Sequence, residues 1–156
     1  TTGQDGSLAP ENFAAWQRLY FSPAQIAAPE AAGPLADFDQ DGIVNVLEFA
    51  LNLDPIFNER VTQLPAIGLR GLPSVQVETI FGEDRLTIEY VRRTAASGSG
   101  LAYLPQFSPD LEDWAAVGTE SVVVINPRWE RVKVVDSQPV SLDSKRFARV
   151  RVTLAE

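Results

Sequence analysis

Apolar positions in the first third of the chain recur at helical spacing. Segment 11–20 places four large apolar side chains at that spacing, which predicts one amphipathic helix. Ser22 before a proline is a helix-start signal and predicts a short helical turn over 23–28. We expect a break at Pro29 and a further helix over 45–52, which should stop before the next proline.

From residue 66 onward the chain changes to β-branched and aromatic residues that alternate with polar ones. Turn residues bound these runs about every ten positions, which predicts short strands. Seven strands are predicted, at 66–71, 74–80, 86–92, 101–107, 121–125, 129–135 and 147–154. Parallel strands need crossover helices, and no helical pattern separates these runs. We therefore expect an antiparallel β-sandwich of the immunoglobulin or fibronectin type.

The two patterns together predict an α+β fold. We expect residues 1–64 to form a helical segment that packs on a β-sandwich domain at 65–156. Segment 1–10 is polar and glycine-rich, and its composition predicts a flexible lead.

Composition excludes several kinds of chemistry. The 156 residues include no cysteine and no histidine. Disulfides, thiolate zinc sites and cysteine nucleophiles are therefore excluded, as are the commonest general base and the commonest zinc ligand. No acidic residue lies in an apolar strand context that would raise its pKa for glycosidase chemistry. We expect a protein that is not an enzyme.

The negative charge is concentrated in the helical segment. The chain has a formal net charge of −8, and residues 1–64 hold nine acidic and two basic side chains. An acidic surface repels nucleic acid, so we expect no nucleic-acid partner. No stretch approaches the roughly 18 apolar residues of a membrane span, so we expect no membrane insertion.

The strongest local motif is an acidic loop over 37–48. It fits the pattern D-x-[DN]-x-[DN]-G-x₅-E at every required position, as an EF-hand-type calcium loop does. Ca²⁺ takes six to eight oxygen ligands, and alternate side chains of a tight loop can converge on one ion. Gly42 should allow the sharp reversal, and Val44 should face the core. The predicted calcium ligands are Asp37, Asp39, Asp41, the Ile43 carbonyl, Asn45 and Glu48. The alternative is an acidic turn that only caps the following helix.

This loop resembles the calcium loops of the dockerin and thrombospondin type 3 class, in which Asn often follows a branched apolar residue, as Asn45 follows Val44. Dockerins carry two such loops, so cohesin docking is not implied by one. A broader resemblance is to C-terminal modules of secreted and surface proteins of environmental bacteria. It is carried by Trp16, 36–42, 45–51, the Asp54-Pro55 pair, 90–93, 101–107 and the S-x-D-L-x-x-W turn at 108–114. The resemblance implies a non-catalytic, extracellular module that calcium stabilises.

The last two predicted strands carry aromatic and basic residues opposite their valines. If the valines face the core, these residues face outward. The outward residues are Trp129, Arg131, Lys133, Phe147, Arg149 and Arg151. Such a surface can stack sugars, or it can bind the acidic segment of an identical chain. A third interpretation is that the arginine stems only cover two half-buried rings.

The sequence thus predicts a secreted or cell-surface structural protein that needs Ca²⁺. We expect it to self-associate into a homopolymer such as a surface filament. The alternative is an accessory module of a larger secreted enzyme that binds carbohydrate or mediates adhesion. A start at Thr1 without methionine agrees with a processed precursor and with an excised module.

Overall fold

A computed structural model describes residues 12–58 and 63–155. Over this part of the chain, four helices precede six strands. The helices are α1 (Phe13–Tyr20), α2 (Pro23–Ile26), α3 (Pro29–Ala32) and α4 (Asn45–Leu51). The strands are β1 (Ser74–Ile80), β2 (Glu83–Arg93), β3 (Leu101–Ser108), β4 (Gly118–Asn126), β5 (Trp129–Pro139) and β6 (Phe147–Leu154). The predicted flexible lead at 1–10 lies outside the described residues.

The helices begin at capping residues that the sequence supplies. Asn12 Oδ1 accepts a hydrogen bond from the Ala15 N–H at 2.9 Å, at the start of α1. Ser22 and Gln25 form a capping box at α2, each side chain accepting from the other residue's backbone N–H. Pro29 starts α3 instead of ending the helical pattern, because proline at the first helical position sacrifices no hydrogen bond. No helix in these described ranges is long and apolar enough to cross a membrane.

The strands form two antiparallel sheets. The larger sheet has the order β1-β2-β5-β4, and β3 pairs with β6 in the smaller one. Core-facing residues of the larger sheet, such as Ile88 and Val132, share a buried cluster with Phe107 of β3. The α+β class and the antiparallel pairing are confirmed. The described residues contain six strands where about seven are expected.

The strand predicted at 66–71 is absent from this region. Gly68 and Gly71 both have a φ of 145°, on the positive side that favours glycine, so the extended backbone is interrupted twice. Among the described residues around this segment, a single parallel bridge joins Gln63 and Leu72. This prediction is wrong because the apolar run contains two glycines that the chain uses to bend.

Gly71→Ala is expected to lower the free energy of unfolding by at least about 2 kcal/mol. A Cβ at this position would lie 2.5 Å from the Cα of Leu64, and backbone atoms cannot rotate away as a side chain can. Denaturant unfolding measures the loss.

Gly82→Ala is the matched control for Gly71→Ala. Gly82 also has a positive φ, of 80°, but no atom lies within 4 Å of the added carbon. Only the backbone strain of about 1–2 kcal/mol then applies. Equal losses in the two variants would show that the contact with Leu64 contributes nothing.

Helix α4 joins the helical segment to the larger sheet. Six of its seven residues are buried. Leu51 packs in one cluster with Val91 of β2 and Trp129 of β5. Phe49 packs in another cluster with Trp16 of α1. The acidic loop before α4 is therefore attached to the core of the protein through this helix.

Candidate metal centre

Three aspartates of the acidic loop lie together. One carboxylate oxygen from each of Asp37, Asp39 and Asp41 lies within 4.8 Å of the other two. Gln40 and Gly42 have positive φ values of 60° and 93°, and these turns let alternate side chains point toward one centre. Three carboxylates at this separation repel each other unless a cation neutralises them. The group can therefore hold a metal ion.

Backbone N–H groups of the same loop orient the three carboxylates. The Asp41 N–H donates to Asp37 Oδ1 at 3.1 Å and to Asp39 Oδ1 at 3.2 Å. The Gly42 N–H donates to Asp37 Oδ2 at 2.9 Å, and the Ile43 N–H donates to Asp41 Oδ1 at 2.8 Å. These bonds fix the direction of each carboxylate through the loop's own backbone.

Glu48 lies on the first turn of α4, outside the group of three aspartates whose oxygens lie within 4.8 Å of one another. Its side chain is 1% exposed, and neither carboxylate oxygen has a hydrogen-bond partner within the described ranges. Burial is the largest cause that raises the pKa of Glu48 to about 8, and the charges of Asp39 and Asp41 follow. A buried, ionised carboxylate without a partner is strongly unfavourable, so Glu48 is ionised at neutral pH only when a cation neutralises it.

Two more buried oxygens of this region lack hydrogen-bond partners in the described chain, Asp39 Oδ2 and Asn45 Oδ1. Burial raises the pKa of Asp39, and the neighbouring Asp41 charge raises it further. Asn45 Nδ2 donates to the carbonyls of Ala31 at 3.1 Å and Gly33 at 2.9 Å. The amide nitrogen of Asn45 thus holds α3 against α4, while none of the described residues donates a hydrogen bond to its oxygen.

In the acidic loop, the residue that packs in the core is Ile43, not Val44 as predicted. Ile43 is 7% exposed and belongs to the core cluster with Trp129, whereas Val44, expected in the core, is only half-buried. The reason is that α4 begins at Asn45, so Val44 is an extended capping residue at the boundary. Of the predicted ligands, the structure brings the three aspartate carboxylates within 4.8 Å of one another and places Glu48 near enough for its pKa to respond to them.

Trp129 is not an exposed aromatic residue. It is 1% exposed, so the prediction that it forms part of an outer binding surface is wrong. Trp129 lies on the face of the sheet opposite Val132, as alternation predicts. Their partners on β2, Arg93 and Tyr90, are three positions apart and therefore also point to opposite faces. Helix α4 covers that end of the sheet, and the Arg93 guanidinium carbon lies 4.3 Å from the Trp129 ring and 4.0 Å from the Phe49 ring.

Arg131 and Lys133 are held by partners within the chain. Arg131 Nη2 lies 2.6 Å from Glu89 Oε1, and its guanidinium also donates to the carbonyls of Pro65 and Gly68. Lys133 Nζ lies 2.6 Å from Glu78 Oε2. Both basic groups therefore fasten strands and a loop of the same molecule.

The other predicted surface residues lie on a different sheet. Arg149 and Arg151 are exposed as expected, and Phe147 is half-buried. Arg149 stacks on Trp114 with 4.1 Å between the guanidinium carbon and the ring centre, a contact that the sequence pattern did not indicate. Because β5 and β6 belong to separate sheets, the six predicted residues do not form one continuous surface.

Comparisons with family models, with curated proteins and with solved structures gave no match for this chain. Its function is therefore argued from the geometry of the acidic loop and of the exposed surfaces.

Proposed function

We propose that loop 37–48 binds one Ca²⁺ and that this ion stabilises a non-catalytic, extracellular structural protein. The observation that carries the proposal is Glu48, which is 1% exposed and whose two carboxylate oxygens have no hydrogen-bond partner among the described residues. Burial and the charges of the three aspartates raise its pKa. A divalent cation would neutralise the four carboxylates together. Asp37, Asp39, Asp41 and Glu48 would hold the ion, and Asn45 offers a further oxygen for which the described part of the chain supplies no donor.

The chemistry of the donors favours calcium over other metals. All candidate ligands are oxygens, and the chain offers no histidine or cysteine. Oxygen donors select hard cations, whereas zinc and copper sites use nitrogen and sulfur. Mg²⁺ requires a near-ideal octahedron and keeps several of its waters, which a set with a buried carboxylate does not suit.

A structural role follows from where the loop is attached. Glu48 shares α4 with Phe49 and Leu51, which lie in two clusters of the core. Ion binding is therefore linked to the packing of the helical segment on the sheet, and its free energy adds to folding. Extracellular calcium modules bind at about 10⁻⁴–10⁻³ M, which suits a secreted or surface protein. The carbohydrate-binding alternative relied on exposed aromatic residues such as Trp129, and that side chain is buried while Phe147 is half-buried.

Thermal unfolding in calcium, in magnesium and in chelator tests this proposal. Free Ca²⁺ at 100 times the dissociation constant is expected to add about 2.7 kcal/mol of stability. For a chain of this length, that corresponds to a melting temperature about 5–10 °C higher than in chelator. Calcium should stabilise the protein more than magnesium does at the same concentration.

Asp39→Ala should remove the response to calcium, because it deletes one carboxylate of the group. Asp143→Ala is the matched control, since Asp143 is an exposed acidic residue in the turn between β5 and β6. A melting temperature that calcium leaves unchanged in the parent protein would contradict the proposal.

A further inference from the structure

Two arginines of the smaller sheet carry charges that no acid of the described chain neutralises. Arg149 and Arg151 are exposed on β6, and neither forms an ion pair with a described carboxylate. The larger sheet differs, since four of its basic side chains each contact a glutamate. These four are Arg85, Arg92, Arg131 and Lys133. The smaller sheet thus presents two positive charges in a protein whose formal net charge is −8.

The neighbours of the two arginines across the smaller sheet are neutral. Gln106 of β3 lies opposite Arg149, and Leu104 lies opposite Arg151. Phe107, the next residue of β3, packs in the core between the sheets, so Gln106 and Arg149 point to the outer face. Opposite charges at paired positions stabilise a sheet, and this pair of strands does not use that device for either arginine. The outer face of β3 and β6 is therefore locally positive.

Neutral groups hold Arg149 in one orientation. Its guanidinium carbon lies 4.1 Å from the centre of the Trp114 ring. Its Nε and Nη2 donate to Gln106 Oε1 at 3.0 Å and 2.9 Å. A side chain that is ordered before binding loses less conformational entropy when a ligand arrives. The Arg149 charge is thus positioned by the protein without being neutralised by it.

A carboxylate is the group that this arrangement fits. Arginine binds carboxylates through paired N–H donors in one plane, and such charge-assisted hydrogen bonds are stronger than neutral ones. Positions i and i+2 of a strand are about 6.4–6.8 Å apart, so Arg149 and Arg151 can contact two carboxylates of one extended polymer. The face of a sheet suits an extended chain, whereas small molecules usually bind in concave pockets.

We propose that the outer face of β3 and β6 binds an acidic polysaccharide, a polymer whose sugars carry carboxylate groups. Charge complementarity favours this occupant over other polyanions. Nucleic acids and anionic membranes are bound through larger basic clusters, of roughly four to ten positive residues, and this face supplies two. Recognition is by charge, so the burial of Trp129 does not affect it.

The acidic segment of a second copy fits this face less well. In the described part of that segment, the four carboxylates of the acidic loop form the proposed calcium site, and a bound ion would neutralise them. Of the other two described acids, Asp54 has an interaction within the chain and Glu30 is exposed. The two arginines would then meet one exposed carboxylate. This comparison of the two occupants rests on the proposed calcium site, whereas the chemistry of the face does not.

Isothermal titration calorimetry with short oligogalacturonates tests the proposal. The neutral control is the same oligomers after chemical reduction of their carboxyl groups. Short oligomers are used because long polyuronates gel with calcium. The parent protein should bind the acidic oligomers and not the reduced ones. Added salt should weaken the binding, because salt screens interactions between exposed charges.

Gln106→Glu is the most informative variant. The introduced carboxylate would take the place of the Oε1 acceptor and form an ion pair with Arg149, as the glutamates of the larger sheet do with their arginines. Oligomer affinity should fall at least about tenfold, while the melting temperature stays the same or rises. Arg151→Gln should weaken binding by a similar factor. Arg18→Gln is the matched control, since Arg18 is an exposed arginine on α1 and its loss changes the net charge equally.

Four results would overturn the proposal. They are no binding of the acidic oligomers, equal binding of the acidic and reduced oligomers, an affinity that Gln106→Glu and Arg151→Gln leave unchanged, and self-association without oligomer that Arg151→Gln abolishes. The last result would assign the face to a second copy. Each titration is paired with thermal unfolding in calcium and in chelator. A protein that calcium stabilises but that binds no oligomer would refute this face and leave the proposed metal site standing.

Discussion

Glu48→Gln is expected to raise the melting temperature of the metal-free protein and to abolish most of its response to calcium. In the parent protein, burial and then repulsion from the neighbouring aspartates disfavour the ionised form of Glu48, which has no hydrogen-bond partner in the described ranges. A neutral amide of the same shape removes the repulsion but is a poor calcium ligand beside three carboxylates. The same substitution thus stabilises one state and destabilises the other.

The pH dependence of unfolding in chelator supplies the measurement. Glu48 has a pKa of about 8 in the folded protein, against 4.5 for an unperturbed glutamate. Between these values the folded state binds more protons than the unfolded state, so stability falls as the pH rises and levels off above about pH 8. Each pKa unit corresponds to about 1.4 kcal/mol, which limits the total loss to a few kcal/mol.

In Glu48→Gln this part of the pH slope should vanish. Glu112→Gln, which changes an exposed acid in the turn after β3, should keep both the slope and the calcium response. If Glu48→Gln and the parent protein showed the same slope, the carboxylate would be solvated or paired, and the argument for a cation would fail.

Arg93→Ala is expected to cost about 3–4 kcal/mol of unfolding free energy. The Arg93 guanidinium lies between the Phe49 and Trp129 rings, and each cation–π contact is worth up to about 2 kcal/mol when desolvated. Arg93 Nε also donates to the Phe49 carbonyl at 3.0 Å, and an unpaired buried acceptor costs about 1–3 kcal/mol. Burial lowers the pKa of Arg93 to about 10, so the group stays charged at neutral pH.

Arg92→Ala is the neighbouring control. Arg92 makes an ion pair of 2.7 Å with the exposed Glu120, and such exposed pairs contribute about 1 kcal/mol or less. It makes a second pair of 2.7 Å with Glu130, which is partly buried, but Arg92 does not lie between aromatic rings as Arg93 does. Arg93→Met should recover part of the loss by keeping the stem between the rings. Chemical denaturation compares the three variants, and a loss in Arg93→Ala no larger than in Arg92→Ala would contradict the assigned role.

Local patterns predicted the elements whose boundaries are set locally. Strands β1 and β6 occupy the predicted ranges, since alternation and turn residues fix both ends. The spacing of Asp37, Asp39 and Asp41 predicted their convergence, because a tight loop carries all three. The 66–71 segment failed for a local reason as well: two glycines with positive φ outweigh its apolar residues.

Properties that depend on distant parts of the chain were not predictable. Alternation gives the face on which Trp129 lies, but only the packing of α4 decides that this face is covered. The basic residues of β5 and β6 could form one surface only if both strands belonged to one sheet. Pairing between strands far apart in sequence places β5 and β6 in different sheets. The exposure of the apolar side chains 122–125 on β4 has the same origin, since the larger sheet has four strands and the smaller sheet has two.

The burial of α4 also sets an order of assembly. A helix of seven residues is too short to persist alone in water, where roughly 12–15 residues are needed. Its packing partners Val91 and Trp129 lie far along the chain, so during synthesis α4 leaves the ribosome long before the surface that holds it exists. The acidic loop is thus synthesised early but takes its final structure late. We expect this negative segment of the nascent chain to stay unfolded until the sheet has formed.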